Sequence, residues 1–162
     1  MARLYLLFVC VIGIVLLGSL SGMLSMGFLV PYSGINAQLW YKGLNKLIEV
    51  PTIVFPIVWT ILYILMGVSI WLVIEARRNM SRPRAQRLFF IQLILNLLWS
   101  VIFFGLRLPL FALIEMIALL FFIILYMRAS RNVSKAASYM MIPYVLWVCF
   151  ALFLNLTIVA LN

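Results

Sequence analysis

The sequence contains no histidine, only two cysteines and only three acidic residues in 162. Without histidine the chain lacks the commonest haem ligand, the usual zinc ligands and the most common general base. It also has no Ser–His–Asp, Cys–His, Walker or glycine-rich phosphate-binding arrangement. These absences leave conventional hydrolysis and phosphoryl transfer without reacting groups. We therefore predict no catalytic residue and no metal site, and we favour a protein that is not an enzyme.

The two cysteines do not suggest redox chemistry either. Cys10 and Cys149 lie in apolar stretches and form no C-x-x-C pair. Buried cysteine commonly behaves as a small hydrophobic residue. We predict two core side chains and no disulfide.

Apolar residues make up 68% of the chain, and the mean hydropathy is +1.26. They are gathered into five stretches, each about long enough for a helix that crosses a bilayer. Only helices and closed barrels satisfy their backbone in lipid, and no alternating pattern favours a barrel. The sequence therefore predicts an all-α membrane protein, a bundle of five transmembrane helices in one domain over 1–162. The predicted spans are 4–30, 52–74, 88–106, 108–127 and 136–160.

The positions of the charged residues predict the orientation of this bundle. A formal charge of +9 would suggest nucleic-acid binding in a soluble protein. Here nine of the twelve basic residues fall on one side of the predicted bundle: Arg3, Arg77, Arg78, Arg82, Arg84, Arg87, Arg128, Arg131 and Lys135. Short loops rich in Lys and Arg stay in the cytoplasm. We therefore predict a cytoplasmic N-terminus, an outer C-terminus, contact with anionic lipid and no nucleic-acid partner. A dedicated lipid- or nucleic-acid-recognition patch is the alternative.

Aromatic and carboxamide side chains recur at helical spacing in three of the spans. The sets are Trp59, Tyr63 and Met66; Gln92, Asn96, Trp99 and Phe103; and Tyr144, Trp147, Ala151 and Asn155. Spacings of three and four residues place each set on one helix face, and polar groups in lipid normally face the bundle interior. Trp59 and Trp99 lie seven residues from the outer boundary, roughly 10 Å deep. The pattern predicts an aromatic-walled cavity in the outer half, with a plainly packed core as the alternative.

Other aromatic residues are expected near the mouth of this cavity. Phe55, Phe104 and Phe111 lie nearer the outer surface, and the segment 31–51, with Trp40 and Tyr41, would cover it. Such a pocket suits a flat, largely apolar ligand held by ring stacking and a few polar contacts. We expect Asn96 and Asn155 to bind the polar edges of that ligand.

Two further features of the spans predict how the helices are held. A charge on Glu115 inside the fourth span is costly unless it is paired. We predict a structural ion pair with Arg107, with Lys42 or Lys46 as alternative partners. Gly18-x-x-x-Gly22 in the first span is a small-residue packing motif, which we expect to pack within the molecule rather than in a dimer.

Five motifs follow one another along the chain from Trp40. They are Trp40-Tyr41 with Leu44 and Lys46; Val54-Phe55-Pro56 with Trp59, Tyr63, Met66 and Gly67; Gln92, Asn96 and Trp99 leading into Phe103-Phe104-Gly105-Leu106-Arg107; Ala112-Leu113 with Glu115; and Pro143-Tyr144 with Trp147, Phe150, Ala151, Leu154 and Asn155. In this order and at this spacing they resemble the translocator protein family, also called the tryptophan-rich sensory protein or TspO/MBR family.

The resemblance implies a five-helix bundle, commonly a homodimer, that binds porphyrins and isoquinoline-type ligands beneath its first loop. Porphyrin would then be a ligand of a membrane receptor rather than a cofactor, and the expected location is the bacterial plasma membrane. The pocket-lining role passes by resemblance to Phe55, Trp59, Tyr63, Asn96, Trp99, Phe111, Trp147, Ala151 and Leu154. Two alternatives stay open: a transporter of porphyrin or other small hydrophobic molecules, and a light-dependent porphyrin-degrading enzyme that uses pocket tryptophans.

The chain departs from the family pattern at two places near the expected pocket. After Lys46 the family usually has a proline, a further tryptophan and a proline pair, whereas this chain has Leu47-Ile48-Glu49-Val50-Pro51. Glu115 stands where the family usually has aspartate. The first departure removes one ring that the loop would otherwise offer to a ligand.

Overall fold

The computed structural model describes residues 2–25, 37–77 and 80–162. Within these ranges the regular elements are helices, and five are long and apolar enough to cross a membrane. This confirms the predicted fold class. The elements are α1 (Ala2–Met23), α2 (Ala37–Gly43), α3 (Val54–Glu75), α4 (Arg82–Ser100) continued by a π-helix (Val101–Gly105), α5 (Pro109–Arg131), α6 (Lys135–Tyr139) and α7 (Ile142–Leu161).

The observed helices differ from the predicted spans mainly at their charged ends. α4 begins at Arg82 rather than at residue 88, and α5 continues to Arg131. Arginine is a good helix former, and proline is tolerated in the first turn, so helices extend beyond their apolar parts. The end of the first predicted span, residues 26–30, lies outside the described residues, as do 31–36 of the loop and Arg78.

The fifth predicted span consists of two helices. α6 ends at Tyr139 and α7 begins at Ile142, with Pro143 in its first turn. Proline has no N–H and cannot join a continuous helix without losing a hydrogen bond. The interruption therefore lies just before this proline.

Small residues let α1 approach α3 closely. A Cβ atom on Gly67 would lie 2.6 Å from the Cα of Val11, and one on Gly18 would overlap the ring of Tyr63. Among the described residues, nothing lies within 4 Å of the equivalent position on Gly22. The prediction that the motif packs within the molecule is confirmed for Gly18 but not for Gly22.

Polar contacts identify which chain segments share an end of the bundle. Arg3 Nε lies 3.1 Å from Glu75 Oε2, and Trp71 Nε1 donates to Arg3 O over 3.2 Å. At the opposite end, Asn45 is hydrogen-bonded to Asn162. The start of α1 therefore lies beside the end of α3, as the grouping of the basic residues requires. The cytoplasmic location of that end stays a prediction.

Both cysteines are free, which agrees with the prediction of no disulfide. Cys10 is half-buried, but Cys149 is exposed on the outside of α7. The prediction that Cys149 is a core residue is wrong, because its position in the helical repeat places it away from the interior set of Tyr144, Ala151 and Asn155.

Candidate functional site

The predicted interior faces are confirmed by the burial of their residues. Gln92, Asn96, Trp99 and Phe103 of the third span are all buried. In the other two sets, the buried residues are Tyr63, Met66, Tyr144, Ala151 and Asn155. Trp59 and Trp147 are half-buried. Aromatic and carboxamide groups from α3, α4 and α7 therefore converge inside the bundle.

Seven aromatic rings form one group at the end of the bundle where α2 lies. We call this the aromatic cluster: Trp40, Tyr41, Phe55, Trp99, Phe103, Phe104 and Trp147. Phe103 is central, with ring centroids 5.1 Å from Trp99 and 5.6 Å from Trp40. Tyr41 lies 5.9 Å from Phe104 and 6.3 Å from Phe55. α2 therefore lies over the ends of α3 and the π-helix, as the sequence predicts for the Trp40–Tyr41 segment.

The π-helix places two consecutive phenylalanines in this cluster. Leu106 N donates to Val101 O over 2.8 Å, a bond that spans five residues instead of four. The wider turn accommodates an extra residue, so Phe103 and Phe104 both reach neighbouring rings, 4.9 Å from each other. The sequence reasoning did not predict this turn. It placed Phe103 on the interior face but omitted it from the ligand-binding residues.

The aromatic cluster surrounds a small cavity. The lining residues are Tyr41, Phe55, Trp99, Phe103, Phe104, Ala151, Leu154, Asn155 and Ile158. The cavity volume is about 20 Å³, enough for about one water molecule. Ligand pockets usually measure roughly 300–1,000 Å³. The cavity is therefore too small for a planar ligand, which fits only if the rings separate.

Ile158 lines the cavity but was missed by the sequence reasoning. It lies three residues after Asn155 and seven after Ala151, so helical spacing alone includes it in the interior face. An isoleucine carries no polar or aromatic signal in a membrane span, and it was therefore overlooked.

A hydrogen-bonded group lies deeper in the bundle than the cavity. Tyr63 OH donates to Asn96 Oδ1 over 3.1 Å, and Asn96 Nδ2 donates to Tyr144 OH over 2.7 Å. Trp59 stacks on Tyr63 with centroids 5.5 Å apart and meets Tyr144 edge-on at 6.3 Å. One carboxamide thus joins three helices and holds the two rings that frame Trp59.

The side chain of Asn155 is also hydrogen-bonded within the protein. With its amide oriented to match its neighbours, Nδ2 donates to Pro109 O and Oδ1 accepts from Leu113 N, both over 3.1 Å. It therefore supports the first turn of α5 while its side chain borders the cavity. Both carboxamides expected to bind a ligand already have protein partners.

The unpartnered polar groups beside the cluster are indole nitrogens. Trp99 Nε1 and Trp147 Nε1 are buried and have no hydrogen-bond partner among the described residues. A buried donor without an acceptor costs free energy, and most buried polar groups avoid this state. The arrangement can therefore offer two N–H donors to an acceptor atom that enters the cluster.

The predicted ion pair between Glu115 and Arg107 is wrong. Both carboxylate oxygens of Glu115 are buried and accept no hydrogen bond from the described residues. Arg107 lies in the turn before α5, whereas Glu115 lies six residues after Pro109, about 9 Å further along the helix. The alternative partner Lys46 instead donates to Tyr41 O over 2.7 Å, with its Nζ 4.5 Å from the Tyr41 ring.

Phe111 does not join the aromatic cluster. Its side chain is 59% exposed, whereas the adjacent Ala112 is completely buried. Consecutive helical residues point about 100° apart, so burying Ala112 directs Phe111 outward. Most of the predicted pocket residues lie together, either in the aromatic cluster or in the hydrogen-bonded group around Asn96. Phe111 lies instead on the outer surface of the bundle.

Tyr41, which covers the cavity, has a phenol with a raised pKa. Burial, with a smaller contribution from the Glu49 carboxylate, raises the pKa of its phenol above the ordinary value. Tyr41 is therefore a neutral hydrogen-bonding ring at physiological pH, and it contributes no charge to the site.

The chain is similar in sequence to known proteins of one family. The model of the TspO/MBR family matches residues 6–161. The chain is 45% identical over 113 residues to the tryptophan-rich protein TspO of Chlorobaculum tepidum, which covers 69% of this chain and 72% of that protein. It is 39% identical over 150 residues to the tryptophan-rich protein TspO of Archaeoglobus fulgidus, covering 91% and 96%. Identity to the tryptophan-rich sensory protein of Cereibacter sphaeroides is 32% over 124 residues, covering 76% and 77%.

Proposed function

Because the chain belongs to the TspO/MBR family and is an integral membrane protein, we propose that it is a receptor for a planar tetrapyrrole such as a porphyrin. The observation that carries this proposal is the aromatic cluster, in which two buried indole N–H groups have no acceptor within the described ranges. One similar protein is named a tryptophan-rich sensory protein, which supports a sensory role. The proposed location is the plasma membrane of a bacterium.

Ring stacking supplies most of the binding in this proposal. A flat conjugated ligand replaces contacts between protein rings with contacts to its own faces, and such pairs prefer stacked or edge-on arrangements at centroid distances of about 4.5–7 Å. The contacts within the cluster already lie in this range, for example 5.1 Å between Trp99 and Phe103. A tetrapyrrole therefore suits the chemistry of the cluster, acting as a ligand and not as a resident cofactor.

The indole N–H groups favour a ligand with hydrogen-bond acceptors at its edge. Trp99 lies on α4 and Trp147 on α7. Each indole nitrogen donates a hydrogen bond and cannot accept one. A ligand oxygen placed against either nitrogen removes the cost of an unsatisfied buried donor. The carboxylate oxygens of a porphyrin side chain provide such acceptors.

Protoporphyrin titration of the intrinsic tryptophan fluorescence tests the proposal. We expect saturable quenching, and we expect Trp147→Phe to raise the Kd about two- to tenfold, the effect of losing one hydrogen bond. Trp71→Phe is the matched control, because Trp71 lies at the far end of the bundle against Arg3. Linear quenching without saturation in all three proteins would show that the cluster is not a porphyrin site.

Illumination during the same titration separates a receptor from an enzyme. A receptor leaves the rate at which porphyrin is bleached by light equal to that of a sample without protein, and no new product forms. A new product whose formation depends on Trp147 would instead support the alternative function, a light-dependent enzyme that degrades porphyrin.

A further inference from the structure

The residues that cover the aromatic cluster form a distinct segment, which we call the lid and define as residues 37–46. Its two rings rest on the π-helix, with Trp40 and Tyr41 at 5.6 and 6.3 Å from Phe103. Lys46 Nζ donates to Tyr41 O over 2.7 Å and closes the end of α2. The cavity beneath holds only about 20 Å³ and is lined on the lid side by Tyr41, so movement of the lid is one way to separate the rings for a planar ligand.

A pair of asparagines fastens this lid to the end of α7. Asn45 N donates to Asn162 Oδ1 over 3.0 Å, and Asn162 Nδ2 donates back to Asn45 O over 3.0 Å. A third, longer bond runs from Asn45 Nδ2 to Leu161 O over 3.4 Å. We call these three bonds the asparagine clasp.

The clasp joins the lid to the helix that forms the opposite wall of the cavity. Asn162 Nδ2 also donates to Ile158 O over 2.9 Å, which fixes the side chain against α7. Ile158 lines the cavity one turn away. A lid held at Asn162 is therefore held directly to the rigid part of the site.

We propose that the asparagine clasp is the latch of the lid, and that it controls the rate at which a ligand enters and leaves the aromatic cluster. The clasp residues are exposed, so water replaces each broken bond without leaving a buried group unsatisfied. Opening at this point is therefore less costly than opening through buried contacts. The residues that line the cavity do not include those of the clasp.

Substitutions of the two asparagines remove different bonds of the clasp, so one variant serves as the control for the other. The two short bonds use the side chain of Asn162 but only the backbone of Asn45. Asn162→Ala therefore removes both, whereas Asn45→Ala keeps both and removes only the 3.4 Å bond. A latch made of these two bonds opens in the first variant and stays closed in the second.

Hydrogen exchange in lipid nanodiscs tests the latch without any ligand. We expect the amides of residues 41–46 to exchange about three- to tenfold faster in Asn162→Ala and less than about twofold faster in Asn45→Ala. Amides of residues 119–126, in the middle of α5, are the internal reference and keep their rates. Equal exchange in all three proteins overturns the proposal. A uniform increase over lid and reference also overturns it, because Asn162 would then support the whole bundle.

Stopped-flow mixing with protoporphyrin then measures the consequence for binding, and only this readout rests on the proposed function. We expect association and dissociation rates to rise by the same factor in Asn162→Ala, with the Kd unchanged within about twofold. A changed Kd with unchanged rates would overturn the latch. If lid exchange accelerates but none of the proteins binds protoporphyrin saturably, the latch stands and the receptor proposal fails.

Discussion

At the scale of single residues, Gly18 determines how closely α1 approaches the site. A Cβ atom there would overlap the ring of Tyr63, which stacks on Trp59 and donates to Asn96. A residue of α1 without a side chain therefore makes room for a ring that frames a pocket tryptophan. This link was not visible in the sequence, where the glycine pair suggests only a packing face.

Gly18→Ala is expected to destabilise the protein. Adding a methyl group to a filled space typically costs about 1–3 kcal/mol, and the rigid ring of Tyr63 has no flexible end that turns aside. Gly22→Ala is the matched control, since no atom of the described part of the chain lies within 4 Å of its Cβ position. Unfolding followed by the loss of circular dichroism in detergent gives both values. Equal free energies of unfolding for the two variants would contradict the assigned packing.

At the scale of helices, the Asn96 amide is the connection between α3, α4 and α7. It accepts from Tyr63 and donates to Tyr144, so its loss leaves buried hydroxyl groups without their partner. Hydrogen bonds between helices in lipid contribute modestly, on average about 0.6 kcal/mol. The cost of an orphaned buried group is larger.

Asn96→Leu is therefore expected to lower the free energy of unfolding by about 1–3 kcal/mol. Tyr63→Phe should destabilise the protein less in the Asn96→Leu background than in the unchanged protein, because the orphaned hydroxyl is then absent. A double-mutant cycle measures this coupling. Strictly additive free energies would show that the Tyr63–Asn96 bond contributes nothing to stability.

Much of the helix arrangement follows from the sequence, because spacing fixes which side of a helix avoids lipid. The faces through Asn96, Tyr63 and Tyr144 were predicted on this basis and are buried. Spacing does not identify the partner that a side chain meets, since this depends on the rotation of neighbouring helices. The asparagines were therefore assigned to a ligand, and Glu115 to an arginine that it does not contact.

The π-helix shows a second limit of regular spacing. Prediction from a 3.6-residue repeat assumes that the repeat continues, and Val101–Gly105 interrupts it. Phe111 was placed near the cavity for a different reason, because its distance from the boundary and the resemblance were used without the helical angle. Local irregularities decide which aromatic residues meet at the site, and they depend on packing between helices.

At the scale of the whole molecule, the charges are divided between the two ends of the bundle. The start of α1 and the end of α3 meet through Arg3 and Glu75, whereas the lid meets the end of α7. The arginine-rich segments thus share the end opposite to the aromatic cluster. This division predicts that the cluster faces away from the cytoplasm.

Reporter fusions in a bacterial host test this orientation. Alkaline phosphatase fused after Asn162 is expected to be active, because the reporter folds only outside the cytoplasm. The same reporter inserted after Asn132, in the connection between α5 and α6, should be inactive. Exchanging the reporter for a green fluorescent protein should invert both results. The reverse pattern would place the aromatic cluster on the cytoplasmic side.

The small volume between the rings also determines which molecules are excluded from the cavity. Acyl chains surround the protein at very high concentration, yet a void of about 20 Å³ accommodates none of them. A molecule that enters has to supply the free energy of separating the rings, so its apparent affinity is reduced by the small population of open protein. In return, a scarce aromatic solute does not have to displace an acyl chain from the site.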